Sequence, residues 1–220
     1  MSLKKSVFVT LLIIFIQSSS AQQNYDSYNH LGITVGFTQF DLNTSDLNTK
    51  PGSGFMAGFT TRGSFYNYID MIYGISFLSN SVEVRGSNSN NPLDIQNIDY
   101  TIQGVQITFQ GSYNFIRNHL SIEAGPVLNI NGKMKLDTEN LENYILDGYS
   151  TLRAQEIQDI SKVNFHIATG ITAGMRNLRL SAQYQFGITN ALNKLNDKNL
   201  ENTDFKGKNS LLILSAMIYF

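Results

Sequence analysis

The sequence predicts an all-β protein, namely a single eight-stranded antiparallel β-barrel that crosses a membrane and is of the outer-membrane type. Three observations carry this prediction. The chain begins with an export signal, several later segments alternate between apolar and polar residues, and residues 211–220 form an uncharged strand ending on Phe220. In that strand the even-numbered residues from 212 to 220 are apolar, while Ser215 and Tyr219 lie on the other face. One face suits lipid, and the other suits a packed interior.

Residues 1–21 are typical of a cleaved signal peptide. Lys4 and Lys5 precede the apolar run 7–16, and small residues lead to a cleavage point before Gln22. The apolar run is shorter than the roughly 20 residues that a helix needs to cross a bilayer. We therefore expect residues 22–220 to form the β-barrel domain, exported to the bacterial outer membrane.

The composition narrows the possible functions. The chain has 16 Lys and Arg against 17 Asp and Glu, and without Lys4 and Lys5 the basic residues number 14 against 17 acidic ones. This acidic balance indicates no nucleic-acid partner. The absence of Cys excludes disulfides, thiolate catalysis, thiolate metal sites and a lipid-modified N-terminal Cys. We predict no cofactor and no metal. Outer-membrane lipid and lipopolysaccharide are the expected partners, with other envelope or secretion proteins as further candidates.

Eight segments fit membrane strands. Residues 178–189 alternate apolar and polar at every position, which a helix could not place on separate faces. Residues 120–136 alternate in the same way, although Pro126, in the middle of this strand, has no N–H to donate to a neighbouring strand. In residues 99–115 the apolar set changes phase, which predicts a β-bulge near Gly104. The remaining predicted strands are 30–42, 53–63, 67–84, 163–176 and 211–220.

The predicted connections alternate between short and long, as in barrels with short periplasmic turns and longer outer loops. Short connections fall near 63–66, 116–118 and 176–177, and long ones at 43–52, 86–98, 137–162 and 190–208. A short amphipathic helix is plausible within 137–162.

The polar faces of the strands must point inward, because a charge facing lipid near the midplane would cost roughly 2–4 kcal/mol. A soluble lipocalin-like barrel is the structural rival, and it would need an apolar interior and a polar exterior. Aromatic residues are expected at the two membrane interfaces. These are Phe65, Tyr113, Phe115 and Phe220 at the periplasmic rim, and Phe40 and Tyr100 at the outer rim.

Five charged residues lie near the short-turn ends of their predicted strands, and the parity of most of them places them inward. They are Arg62, Asp70, Glu123, Arg176 and Arg179. Buried charges need partners, and an eight-stranded barrel is just wide enough inside for side chains to fill it. We predict a salt-bridge cluster with a structural role. A gated ion path through the same cluster is the alternative.

A lipid-modifying hydrolase on a small barrel is the enzymatic alternative, and it would require a nucleophile such as Ser beside a His. The chain contains only His30, His119 and His166. By strand rise, His30 and His166 are separated by roughly 20 Å, which disfavours a shared site. We therefore predict no catalytic residues and no enzyme.

The chain resembles the PorT-like family of small outer-membrane β-barrels found in the Bacteroidetes. The resemblance rests on the segment Ser-Gly-Phe-Met-Ala-Gly-Phe at 53–59, on Leu-Ser-Ile-Glu-Ala-Gly-Pro at 120–126, and on the aromatic C-terminus. It covers most of residues 30–220 and implies the fold and the location. Some members are associated with type IX secretion, so the resemblance also implies a possible accessory role in protein secretion. It transfers no catalytic residue. The predicted function is a structural or interaction role at the cell surface.

Overall fold

The computed structural model describes residues 27–220, so the predicted signal peptide lies outside the described residues. Within this range, nine strands form one antiparallel sheet. The strands are β1 (Asn29–Thr44), β2 (Thr49–Tyr66), β3 (Ile69–Asn88), β4 (Asn91–Ile116), β5 (Leu120–Leu136), β6 (Ile145–Leu146), β7 (Val163–Gly174), β8 (Leu178–Gly187) and β9 (Gly207–Tyr219). Short 3-10 helices cover Glu139–Leu141, Ala154–Gln158 and Asn193–Asp197.

The eight long strands close into a barrel. Each pairs with its neighbour along the chain, β5 pairs with β7 across the intervening loop, and β1 pairs with β9 to close the ring. The short strand β6 pairs with the outer end of β3 through Gly86 and Ser87, and its residue Ile145 also forms an isolated bridge with Arg153. The predicted eight-stranded antiparallel barrel is therefore confirmed. No helix within residues 27–220 is long and apolar enough to cross a bilayer.

The two ends of the barrel differ in the length of their connections. Residues 67–68, 117–119 and 175–177 make tight turns at one end, where Asn67 and Asn118 adopt positive φ angles of 44° and 63°. The other end carries the connections 45–48, 89–90, 137–162 and 188–206. The prediction of loops at 43–52 and 86–98 is thus wrong for most of their length, because the strands continue through these residues. Strand β4 alone has 26 residues, more than twice the roughly 9–11 that span a bilayer.

Toward the turn end, the wall has an apolar exterior and a polar interior, as predicted. On β1 the outward residues Leu31 to Phe37 are exposed and apolar, while Thr34 and Thr38 are buried inside. On β4 the outward run from Tyr113 to Val105 is apolar, and Gln106 and Gln110 point inward. This apolar band is the surface that contacts lipid.

Toward the loop end, the same strands have the opposite polarity. The inward residues there are apolar and buried, whereas the outward positions next to them are polar. The buried set on β1 and β4 comprises Phe40, Leu42, Ile98, Tyr100 and Ile102, and the polar set comprises Gln39, Asp41, Asn43, Asn97, Asp99 and Thr101. The prediction of a polar interior is wrong for this part. Phe40 and Tyr100 are core residues and do not form an outer aromatic girdle.

The phase change in residues 99–115 has a different cause from the predicted bulge. Strand β4 alternates without interruption, with even residues inward both above and below Gly104. The irregularity lies in the facing strand, since Ile102 pairs with Met134 but Gly104 pairs with Asn131. The extra residue therefore belongs to β5. The apolar set of β4 changes phase because the interior changes from polar to apolar at that level.

Gly125 and Pro126 explain how β5 tolerates a proline. The β4–β5 register is continuous on either side, with Thr108 opposite Val127 and Gly111 opposite Ala124, but the two intervening positions are not paired. A side chain at Gly125 would collide with the carbonyl oxygen of Phe109. Glycine permits this close approach of the two backbones, and the proline occupies a site where the ladder is already interrupted.

Candidate functional site

Arg62 is the centre of a charge cluster inside the turn end of the barrel. Its guanidinium donates to Asp70 at 2.9 Å and to the hydroxyl of Ser112 at 2.9 Å, and it also forms an ion pair with Glu123. Arg62, Asp70 and Glu123 are all almost completely buried. Strands β2, β3 and β5 supply these three side chains, so the cluster links different parts of the wall.

Neutral side chains add further hydrogen bonds to the carboxylates of the cluster. Asp70 accepts a hydrogen bond from Tyr28 Oη at 2.6 Å and another from Asn114 Nδ2 at 2.9 Å. Ser121 Oγ donates to Glu123 at 3.3 Å, and Arg179 Nη1 in turn donates to Ser121 Oγ at 3.4 Å. A buried carboxylate needs several such partners, because desolvation of an unpaired charge costs several kcal/mol.

The structure brings four of the five predicted residues together and leaves one out. Arg62, Asp70, Glu123 and Arg179 share the interior, with two positive and two negative charges. Arg176 instead lies exposed in the turn 175–177, where its Nε is 3.4 Å from His30 Nε2. The inward placement of Arg176 is therefore corrected, since the alternation of a strand does not continue through a turn.

A belt of uncharged polar side chains lies between this cluster and the apolar part of the interior. Gln185 Nε2 donates to Gln106 Oε1 at 3.2 Å and to Gln183 Oε1 at 2.9 Å. Thr38 Oγ1 donates to Asn80 Oδ1 at 2.5 Å. A cavity of about 50 Å³ in this belt is lined by Gln106, Gln183 and other polar groups, together with Glu123. This volume holds only a few water molecules.

The three histidines lie in separate surroundings. His30 stacks on Tyr28 with ring centroids 5.0 Å apart, and exposed His119 contacts the carbonyl of Gly174 at 2.9 Å. His166 is buried, with its Nδ1 3.0 Å from Asn129 Nδ2. None of these described contacts includes a serine hydroxyl. Within residues 27–220, no group of three or more acidic or histidine side chains is arranged to hold a metal ion.

The outer mouth of the barrel is closed by a folded cap, which we define as residues 137–162 and 188–206. The cap packs its apolar side chains against the inward apolar residues at the loop ends of the strands, which we call the strand extensions. The buried set includes Leu146, Leu152, Ile157, Leu192, Leu195 and Phe205 from the cap, and Val82, Val84, Ile98, Tyr100 and Met134 from the wall. This cluster is the hydrophobic core of the molecule. The predicted amphipathic helix in 137–162 is replaced by two short 3-10 helices and β6.

Glu201 joins the two segments of the cap. Its carboxylate accepts hydrogen bonds from the backbone amides of Ser150, Thr151 and Leu152 and from the hydroxyl of Thr151. The amides of Ser150 and Thr151 hold the pKa of the Glu201 carboxyl below its usual range. This contact spans about fifty positions of sequence, with nothing in the local pattern around Glu201 to indicate it.

Two tyrosine hydroxyls form hydrogen bonds that join the cap to strand β4 and to the connection 45–48. Tyr100 Oη donates to the carbonyl of Ala154 at 2.9 Å, and Tyr149 Oη donates to the carbonyl of Asp46 at 2.8 Å. Burial raises the pKa of Tyr149, which keeps the hydroxyl protonated as a donor. The cap is therefore a packed and hydrogen-bonded structure on top of the barrel.

The geometry defines an integral membrane β-barrel with a filled interior and a capped outer mouth. The chain belongs to the outer membrane protein β-barrel domain family, whose model matches residues 17–193. The protein is accordingly an outer-membrane protein, and the short turns face the periplasm while the cap lies outside the cell.

Comparison with solved structures finds small outer-membrane barrels at low sequence identity. Neisserial surface protein A is 13% identical, with a TM-score of 0.47 and coverage of 86% of this chain and 97% of that one. Ail of Yersinia pestis, in complex with the heparin analogue sucrose octasulfate, is 15% identical, with a TM-score of 0.46 and coverage of 87% and 99%. OprG of Pseudomonas aeruginosa is 10% identical, with a TM-score of 0.47 and coverage of 88% and 97%. No curated protein matches the chain significantly.

Proposed function

We propose that this protein is a non-enzymatic binding protein of the cell surface, and that its folded cap presents the binding surface. The observation that carries the proposal is the hydrophobic core shared by the cap and the strand extensions. Loops without such a core would be free to change conformation, whereas packed segments hold a fixed surface toward the outside. An accessory role in protein secretion, as implied by the PorT-like resemblance, is the specific form of this proposal.

The filled interior favours binding over conduction. A solute that entered from outside would first have to displace the apolar core around Leu192 and Leu195, and then pass the ion-paired Arg62. The interior cavity beside Glu123, at about 50 Å³, holds only a few water molecules. The separate surroundings of His30, His119 and His166 likewise give little support to a hydrolase.

The test is affinity purification of the full-length protein, expressed at its native level, from outer membranes in mild detergent. We expect a protein partner at a stoichiometric level, and we expect it to be lost when the cap residue Leu195 is replaced by Ala. Recovery of the protein alone, or with lipid only, would overturn the binding role. Reconstitution in planar bilayers gives a second readout, because discrete conductance steps would favour the pore.

A further inference from the structure

The hairpin formed by the outer ends of β3 and β4 has one covered edge and one open edge. The far edge of β3 is covered, since Gly86 pairs with Leu146 and Ser87 with Ile145 of β6. The far edge of β4 is paired with β5 only from Tyr100 onward, and the last bond is donated by the amide of Asp137 to the carbonyl of Asp99. In the described chain, no backbone hydrogen bond joins residues 91–98 to any segment outside this hairpin.

The direction of the free backbone groups follows from that last bond. Successive residues of a strand direct their N–H and C=O groups to opposite sides, so every second residue shares the side of Asp99. Ile95 and Asn97 therefore direct their backbone groups to the open edge, while Gln96 and Ile98 direct theirs to β3. Such a row of unpaired groups is a template for an added strand.

The outer face of the hairpin beside this edge is apolar and exposed. Leu93 is 90% exposed and Ile95 is 50% exposed, although both lie outside the cell and above the lipid-facing band. Leu93 precedes Ile95 by two positions, so both side chains lie on the same face of the strand. An added strand with apolar residues at alternate positions would cover them.

The hairpin is held in place before any partner arrives. On its inner face Asp94 accepts hydrogen bonds from Tyr144 Oη at 2.7 Å and from Gln96 Nε2 at 2.9 Å. These bonds hold the pKa of Asp94 below its usual range. Because Tyr144 belongs to the cap core, these hydrogen bonds connect the open edge to the cap. Little conformational entropy is then lost when a strand is added.

Acidic side chains mark the lower end of the open edge. Asp99 lies between Glu83 of β3 and Asp137, which follows β5, and all three are on the outer surface. Burial raises the pKa of Asp99, and the negative charges of Glu83 and Asp137 raise it further. Lys50 lies opposite Glu83 on β2, while Arg85 and Lys135 lie on the same face opposite Asn97 and Thr101, so Asp99 and Asp137 are the carboxylates nearest the open edge. A basic residue placed there would relieve the repulsion.

We propose that the open edge of β4 at Ile95 and Asn97 binds an extended segment of a partner protein, with apolar side chains at alternate positions and a basic residue beside Asp99 and Asp137. The added strand continues the barrel sheet where β5 ends. This inference rests on the proposed function, because it names the surface and the chemistry of the partner.

The test uses the full-length protein in lipid nanodiscs and a fluorescent heptapeptide, Lys-Thr-Val-Thr-Val-Thr-Lys, whose two lysines lie on the same face as the valines and serve either strand direction. Asn97→Pro removes one edge N–H and blocks close approach, but leaves Leu93, Ile95 and the β3 ladder intact. Asn97→Ala is the matched control. We expect saturable binding to the wild type, unchanged by Asn97→Ala and weakened at least about tenfold by Asn97→Pro. Replacing both lysines of the peptide by glutamate should also weaken binding.

A second measurement uses only the wild type, so it does not depend on correct folding of the proline variant. Amide hydrogen exchange at Ile95 and Asn97 in the wild type should slow when the peptide is added. The proposal that the open edge of β4 binds an extended segment would be overturned by equal affinity of the peptide for Asn97→Pro and Asn97→Ala, or by unchanged exchange at both amides. The affinity purification tests the proposed function separately. A partner that is retained by Asn97→Pro would refute binding at the edge but leave the proposed function standing. Failure to find any partner would refute the proposed function.

Discussion

The turn end and the loop end of this barrel are built from the same strands but have opposite polarity. Near the periplasm the interior holds Arg62 and its carboxylate partners, and apolar side chains face lipid. Near the outside the interior holds Tyr100 and Leu195, and polar side chains face water. The alternation of the strands is identical in both halves. The difference teaches that the medium outside the wall, lipid or water, decides which set of alternate residues must be apolar.

The largest expected effect comes from breaking the charge cluster. Arg62→Ala leaves Asp70 and Glu123 buried without their cation, and we expect it to lower the free energy of unfolding by about 3–5 kcal/mol. Urea unfolding in lipid vesicles, followed by the gel shift between folded and unfolded barrel, measures this loss. Arg176→Ala is the control, because that side chain is exposed and should change stability by less than about 0.5 kcal/mol. Equal effects of the two variants would refute the interior cluster as a structural element.

Replacing the whole cluster by apolar residues tests whether the interior of the turn end must be polar or only filled. If the cluster serves only to fill the interior, the quadruple variant Arg62→Leu, Asp70→Leu, Glu123→Leu and Arg179→Leu should recover most of the stability lost in Arg62→Ala. Well-packed apolar residues often replace a buried ion pair without net cost. The same urea titration measures this recovery. Continued instability of the quadruple variant would show that the turn end requires polar side chains.

The second expected effect concerns the cap. Leu195→Ala removes a fully buried side chain from the core, and such truncations cost about 2–5 kcal/mol. We expect this loss to open the cap and to leave the membrane-spanning wall folded. Limited proteolysis of intact cells should then cut within 137–162, while the barrel keeps its gel shift. Leu93→Ala is the control on an exposed leucine. If Leu195→Ala unfolds cap and barrel together, the two halves do not behave as separate units of stability.

The third effect tests where the polarity changes along a single strand. Phe109 lies in the middle of the outward apolar run of β4, and Thr101 lies on the same face eight positions nearer the outside. Phe109→Arg should lower the free energy of unfolding by about 2–4 kcal/mol, and Thr101→Arg by about 0–1 kcal/mol. Urea titration in vesicles compares the two. Similar losses would place Thr101 in lipid and contradict the boundary.

The sequence predicted the barrel because outward apolar residues recur at every second position over long segments. It failed for the outer half of the interior because Ile98, Tyr100 and Ile102 alternate just as regularly. Only the phase of their pattern differs from that of Val105 and the residues after it. The phase change was the available signal, and a change of surroundings explains it where a bulge does not.

The charge cluster could be predicted from the sequence, whereas the packing of the cap could not. Parity within a strand places Arg62, Asp70 and Glu123 on the inner face at one end, and antiparallel pairing then brings them together. Arg176 was misplaced since it lies in a turn, where parity has no meaning. The bonds from Glu201 to Ser150 and Thr151 depend on how two irregular segments pack, which no periodicity describes.

The smallest expected effect is a loss of cap stability at low pH that leaves the barrel wall unchanged. The Glu201 pKa lies below its ordinary value of 4.5, so its contribution to stability is fully present above that value and is lost as the pH falls through the lower folded-state pKa. We expect proteolysis of 137–162 by an acid-active protease to rise by a small factor as the pH falls below 4.5, while the gel shift of the barrel is unchanged. Glu201→Gln should be cleaved at a higher rate already at neutral pH, and the change of its cleavage rate with pH should be smaller. The same pH dependence in Glu201→Gln as in the wild type would assign the effect to another carboxylate of the cap.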